Sequence, residues 1–324
     1  MVVDRSGSVV SSADVLVEVE WTRVLDDVST ARVFIEPDGD CCERLDGVRS
    51  WRHKLVIWRD GHPVWEGPIV DVDWRTTGVE IQAVDVLGWL DRRVPHQDIR
   101  FDGRDLADIA AWLIEDGFAP DDPGHDVVVV GATRILGDRE YEQDRGQTGD
   151  HLRKLAETGV DFTAVGSRIL IMPEDHCERV GSLTDADFPA GLSVAEDGAS
   201  LGTRWVVWGD DDVKGVAGGV DPYYGLLERS VEETSILDDL SAGAAARSRL
   251  RGSSPAPVFV DSQQVTLSPD AAVDVPSLVP GWCVDVTTTA TCRRVGQSLK
   301  IVGVKVTENG SGESVAVQLA PSGV

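Results

Sequence analysis

What this 324-residue chain has little of narrows its function before any motif is sought. Positive charge is short: 30 Lys and Arg stand against 56 Asp and Glu, a formal net charge of -26 with a pI near 4.4. A field of that sign repels phosphate backbones and anionic lipid, so a sequence-reading DNA binder is not expected. The plainer reading is that acidity keeps the protein soluble. No apolar run is long enough to cross a bilayer, and Met1 to Val17 lacks a basic segment followed by an unbroken apolar one. Neither a membrane span nor a signal peptide is therefore expected. Cysteine is sparse and odd in number: Cys41, Cys42, Cys177, Cys283 and Cys292, with no C-x-x-C pair. Neighbours such as Cys41 and Cys42 rarely form a relaxed disulfide, so reduced thiols in a cytoplasm are the default. Cys283 and Cys292 could face each other across a hairpin, a question for geometry.

Catalytic patterns are missing as well. There is no G-x-S-x-G, and Ser6-Gly7-Ser8 falls in what reads as a flexible N-terminus. Gly215-Val216-Ala217-Gly218-Gly219 lacks the Lys and Ser/Thr of a phosphate loop. Asp210-Asp211-Asp212 before Gly215 lacks the alternating ligands and terminal Glu of a calcium loop and reads as a solvated turn. The histidines, His53, His62, His96, His125, His151 and His176, are scattered. His176 beside Cys177 comes nearest to a metal pair, but adjacent side chains on an extended segment point to opposite sides. Carboxylates are so abundant that pairing any two for glycoside hydrolysis carries no information. Asp73, Glu80 and Asp85 sit in or after strands, where an exposed face accounts for them. No catalytic residue, cofactor-binding residue or metal ligand is assigned, and the chain is read as non-enzymatic.

What is present is a folded, strand-rich protein. A hydrophobic share of 42% and a charged share of 27% suit globular packing, and the length suits two or three compact units. Alternation and β-branched residues predict strands at Ala13 to Glu20, Ala31 to Glu36, Trp51 to Trp58, Val64 to Val72 and Gly78 to Val84. Pro37-Asp38-Gly39-Asp40 and Arg59-Asp60-Gly61 supply turns. Asp85 to Leu90 reads as a short helix before Pro95, able to close a barrel. Apolar spacing predicts helices from Leu106 to Ile114, ended by Gly117, and from His151 to Thr158, with Thr148 and Asp150 as caps and Gly159 as the stop. Val160 to Ala164 and Ser167 to Met172 read as a hairpin. Beyond Leu192 come a strand at Thr203 to Gly209, a loop at Gly215 to Tyr224 and an alanine-rich helix at Asp238 to Leu250. Strands follow at Pro257 to Leu267, Trp282 to Thr289, Leu299 to Thr307 and Ser314 to Leu319. The ten tryptophans are the compositional oddity. Trp51, Trp58, Trp65 and Trp74 could stack on sugars, but strand positions favour a core or a subunit interface.

The segments Cys41-Cys42-Glu43-Arg44-Leu45, Trp51 to Gly61 and Val64-Trp65-Glu66-Gly67-Pro68-Ile69, then Gly78 to Asp85 leading into Val86 to Arg93, resemble minor tail proteins of long-tailed actinobacterial phages. Leu152 to Ala156, Gly159 to Phe162 and Arg168 to Ile171 look like the middle domain of such proteins, and Val279 to Val286 is similar to the last barrel of tail hub subunits. The resemblance implies a mainly β fold with an α+β insertion: a first β-barrel domain over 1–95, a middle α+β domain over 96–185, and a second β-barrel domain with a helix over 186–324. Both barrels would be related to the tail tube protein. It further implies a homo-oligomeric ring in the virion tail tip, a trimer by preference, assembled in the host cytoplasm. Such a ring would contact other tail tip and distal tail proteins and pass DNA without sequence-specific binding. The rival readings are a carbohydrate-binding or glycan-cleaving tail component and a hexameric distal tail adaptor.

Overall fold

The computed structural model describes residues 1–12, 18–36, 45–189, 194–196, 198–234, 236–253, 258–260, 265–268, 271, 273–290 and 292–321. The Cys41-Cys42-Glu43-Arg44 run, the turn at Pro37 to Asp40, the Ala13 to Val17 half of the first predicted strand, Leu192 and Pro257 lie outside the described residues.

The first part of the chain is all strand: β1 (Val2–Val3), β2 (Val9–Ser11), β3 (Glu18–Val24), β4 (Thr30–Ile35), β5 (Lys54–Arg59), β6 (His62–Arg75) and β7 (Gly78–Val84). Ser6-Gly7-Ser8 forms an ordered turn between β1 and β2, because the Asp4 carboxylate accepts from Ser6 N, Ser6 Oγ and Ser8 N. A short 3-10 helix, Val86–Arg92, follows, its first turn capped by Asp85 accepting from Leu87 N.

The middle part holds β8 (Ile99–Asp105), α1 (Leu106–Phe118), β9 (Asp126–Val129), β10 (Leu136–Tyr141), α2 (Thr148–Ala156), β11 (Val160–Val165) and β12 (Arg168–Pro173). The α1 helix forms where the apolar spacing places it, opened by Asp105 accepting from Ala107 N, but it runs through Gly117, the expected stop, to Phe118. By contrast α2 begins at Thr148 rather than His151, so Thr148 and Asp150 lie within the helix, and Gln147 stands at its start without a side-chain cap. The β11–β12 hairpin gains β9 as a parallel third strand, a pairing that needs the intervening helix and so is invisible locally.

The last part holds β13 (Arg179–Thr184), β14 (Val194–Glu196), β15 (Arg204–Trp208), β16 (Lys214–Gly218), β17 (Glu228–Glu232), α3 (Asp239–Ser253), β18 (Val258–Val260), β19 (Val265–Leu267), β20 (Cys283–Thr288), β21 (Val295–Asn309) and β22 (Gly312–Pro321). The stretch expected as a loop at Gly215 to Tyr224 opens as strand β16, antiparallel to β15. Gly215 is what α3 requires: a Cβ there would collide with the Ala242 backbone.

The chain is mainly β, and its dominant feature is one 12-stranded sheet in the order β13-β20-β21-β3-β4-β7-β6-β5-β1-β2, with β22 on β21 and β19 on β22. Strands from both ends of the chain share it, and among the described residues the pairing closes no barrel. The joint is β21: Val295 to Lys300 pair with β20, a bulge follows between Ile301 and Gly303, and Gly303 to Asn309 pair with β3. One apolar core underlies this sheet, drawing Trp21, Ile69 and Ile81 from the first part and Val286, Ile301 and Val317 from the last. Separate cores form around α1 with β11 and β12, and between α3 and the β16-β15-β17 sheet.

Cys177 and Cys283 form a disulfide with Cα atoms 5.0 Å apart, while Cys292 is free and exposed. This corrects both the all-reduced default and the Cys283–Cys292 alternative. The partner of Cys283 comes from 106 residues upstream because β13 lies parallel beside β20.

Candidate interaction surface

Alternation along β3, β4, β6 and β7 turns Val19, Trp21, Val33, Ile35, Ile81 and Ala83 to the core. It leaves Glu18, Glu20, Arg32, Asp71, Asp73, Arg75, Glu80 and Gln82 together on the opposite face. Arg32 meets Glu80 in a two-point contact at 3.0 and 3.1 Å and reaches Glu18 at 3.3 Å. Arg75 lies 2.6 Å from Asp73 and 3.4 Å from Glu80, and Lys305 of β21 lies 2.9 Å from Glu20. Hydrogen bonds from Arg32 and Gln82 draw the Glu80 carboxyl down to about 2, so it stays ionised at neutral pH. The result is a charge-paired sheet face in which carboxylates outnumber cations. It suits a surface that rejects phosphate, and Glu80 is poorly suited to donate a proton.

Beneath this sheet lies a junction that local sequence patterns do not announce. Lys300 of β21 is buried, pairs with buried Asp161 of β11, and donates to the Glu174 carbonyl at 2.6 Å. Asp26, in the β3–β4 turn at φ 61°, donates from its N–H to Phe162 O at 2.8 Å and accepts from Phe162 N at 2.9 Å. Although Asp26 as a residue is only half-buried, its carboxyl lies against protein. Burial, then the neighbouring Asp161, push it well above the usual carboxylate range. Thr163 Oγ1 donates to Val24 O at 2.8 Å, and Arg153 bridges Asp27 and Asp91. Arg23, also buried, donates to Val64 O at 2.7 Å and to the Pro276 and Leu278 carbonyls. First, middle and last parts are thus tied by paired polar groups, buried except at the Arg153–Asp27–Asp91 bridge.

The residues singled out from the sequence are dispersed. Asp73 and Glu80 belong to the charged face, but Glu80 is buried there beneath Arg32, Arg75 and Gln82 rather than exposed as expected. Asp85 instead is buried under the 3-10 helix, accepting from Ser29 N and Leu87 N, and burial raises its carboxyl to about 7. It sits in the core, not on the exposed face expected for it. His53 accepts from Arg49 N, His96 contacts Asp116, His125 contacts Asp122, and His176 meets the Trp282 ring edge-on at 4.9 Å. Cys177, bonded to Cys283, has no thiolate to offer beside His176. Among the described residues no group of three or more His, Cys, Asp or Glu could hold a metal ion, and no helix is long and apolar enough to cross a membrane. Of the four tryptophans, Trp65 is buried, with Nε1 on Thr22 O, and Trp51 stacks edge-on with Trp89 at 4.9 Å. Trp58 and Trp74 are half-exposed, at 49% and 50%. They do not make one platform. The residues that sequence reasoning missed are Arg23, Asp26, Asp161 and Lys300. The available signal was a charge flanked by apolar strand neighbours, as in Val160-Asp161-Phe162 and Leu299-Lys300-Ile301.

No protein-family model matches the sequence, and no curated protein matches it. Solved structures do match, along nearly the whole chain. A tail protein from Neisseria meningitidis aligns at 13% identity with a TM-score of 0.70, covering 100% of this chain and 97% of the other. The 43 kDa tail protein of prophage MuSo2 from Shewanella oneidensis aligns at 12% identity with a TM-score of 0.66, covering 95% of each chain. Prophage tail protein gp18 from Listeria monocytogenes aligns at 11% identity with a TM-score of 0.61, covering 98% and 93%. At such identities the likeness is one of fold: this chain has the fold of these tail proteins across its whole length.

Proposed function

We propose that the chain is a structural, non-enzymatic subunit of a phage tail tip. It forms a ring, a trimeric hub by preference, that continues the tail tube and lets DNA pass. The observation that carries this reading is the end-to-end fold match to tail proteins. In this reading the sheet regions around β6 and around β21–β22 act as two tube-like units per subunit, so that three subunits imitate a six-fold ring. Residues 96–185 decorate the ring, with other tail tip and distal tail proteins above and below. The charged face of β3, β4, β6 and β7 lines the DNA path, its surplus carboxylates keeping phosphate from sticking.

The mass of the assembled particle tests this, measured by light scattering and native mass spectrometry across a concentration series. Three copies in a closed ring support the hub. Six copies make the chain a distal tail adaptor instead, and a monomer at every concentration and with every tail protein added removes the ring altogether.

A further inference from the structure

The segment leaving the middle part, Glu174 to Glu178, reaches the last part of the sheet through a few isolated contacts. Lys300 Nζ donates to the Glu174 carbonyl, and Ser248 Oγ donates to its carboxylate. The His176 ring meets Trp282, and Cys283 N donates to Glu178 O at 2.9 Å. The covalent tie is Cys177–Cys283. Its two ends differ in access: Cys177 is half-buried on a segment whose Asp175, Glu178 and Arg179 are exposed, whereas Cys283 is 0% exposed.

We propose that this connector is a redox-gated clasp, closed by the Cys177–Cys283 bond and opened by a small dithiol that reaches the half-buried Cys177 side. A thiolate of the dithiol attacks the Cys177 sulfur, the S–S bond breaks, and Cys283 leaves as a thiolate that takes up the proton shed by the attacker. The second thiol of the reagent then displaces Cys177, which leaves as a thiol, and the reagent departs as its cyclic disulfide. The protein gains two electrons and two protons, and the dithiol loses them. Reduced Cys283 remains in the core as a small apolar side chain. What then holds the connector is the His176–Trp282 ring contact and a few single hydrogen bonds, each worth little by itself. The Asp161–Lys300 pair keeps β11 on β21, so the connector opens while the middle part stays attached.

The test is hydrogen exchange on the full chain before and after treatment with dithiothreitol, with thiols counted by alkylation in denaturant. Without reductant, Cys292 is expected to be labelled and Cys177 and Cys283 not. Full reduction should expose both and speed exchange at residues 175–178 by about tenfold or more, with residues 18–24 and 303–309 unchanged. Labelling of Cys177 and Cys283 in protein kept from reductants overturns the proposal, as does unchanged exchange after complete reduction. Cys177→Ser should exchange like reduced protein with no dithiol added, and Cys292→Ser like the oxidised form. Protection of Cys177→Ser at the oxidised level would also overturn it.

Discussion

At the residue scale, the junction stakes most on Lys300. Its ammonium is enclosed with Asp161 and lies within electrostatic reach of Asp26, so removing it leaves carboxylates facing one another without a cation. Lys300→Met should cost about 3–5 kcal/mol in urea unfolding, the penalty of an uncompensated buried charge. A variant as stable as the parent would show that the pair contributes nothing. Asp85 gives a pH signature whose sign follows from its carboxyl being raised from 3.8 to about 7 by burial. Between those values the folded chain holds a proton that the unfolded chain has released, so stability is lost as pH rises from about 4 to about 7. Asp26 and Asp161, both raised mainly by burial, act in the same direction. Glu80, drawn down to about 2, acts oppositely, its contribution lost as pH falls from about 4.5 toward 2. Asp85→Asn should flatten the melting-temperature profile between pH 4 and 7, even though losing one of two acceptor oxygens lowers the melting temperature throughout. An unaltered slope would place the titration elsewhere. None of these charges was legible as a junction in the sequence. Burial of a charge depends on what crosses it, and Asp26, Asp161 and Lys300 come from three distant stretches.

Among the elements, those set by local pattern were legible and those set by pairing were not. The apolar spacing of Leu106, Ile109, Ala110, Leu113 and Ile114 marks α1 because one face of a helix must be buried whatever lies against it. Strand β16 escaped because Gly215 and Gly218 weaken any local strand signal, while Gly215 lets α3 approach and Gly218 takes a positive φ close against Thr203 O. Gly215→Ala is accordingly expected to destabilise by about 2–4 kcal/mol, since a methyl group would meet Ala242 backbone that cannot turn aside. Amide exchange along α3 should rise with it. Gly219→Ala, where a Cβ meets nothing within 4 Å, is the control and should leave exchange unchanged.

For the whole molecule, the first and last parts share one sheet and one core through β21. A fragment of residues 1–95 would leave the β3 edge open and lose the last part's share of that core. It should fail to give a cooperative thermal transition by circular dichroism unless residues 279–324 are supplied in trans. A cooperatively folded 1–95 fragment would make the first part an independent domain. The mainly β character was readable because alternation and turn residues agreed along the chain, but the two barrels were not: among the described residues the strands of both ends join one sheet that closes none. The tail-protein fold match rests on coordinates rather than on motifs. The sequence by itself determined a mainly β, strongly acidic chain with no local catalytic motif, because composition and alternation are properties of neighbours along the chain. Only the tertiary structure decided that the two ends form one sheet, that Cys283 bonds Cys177, and that Asp85 is buried under a turn. Each of these depends on which distant segment arrives beside it, and loop closure over a hundred residues leaves no local trace.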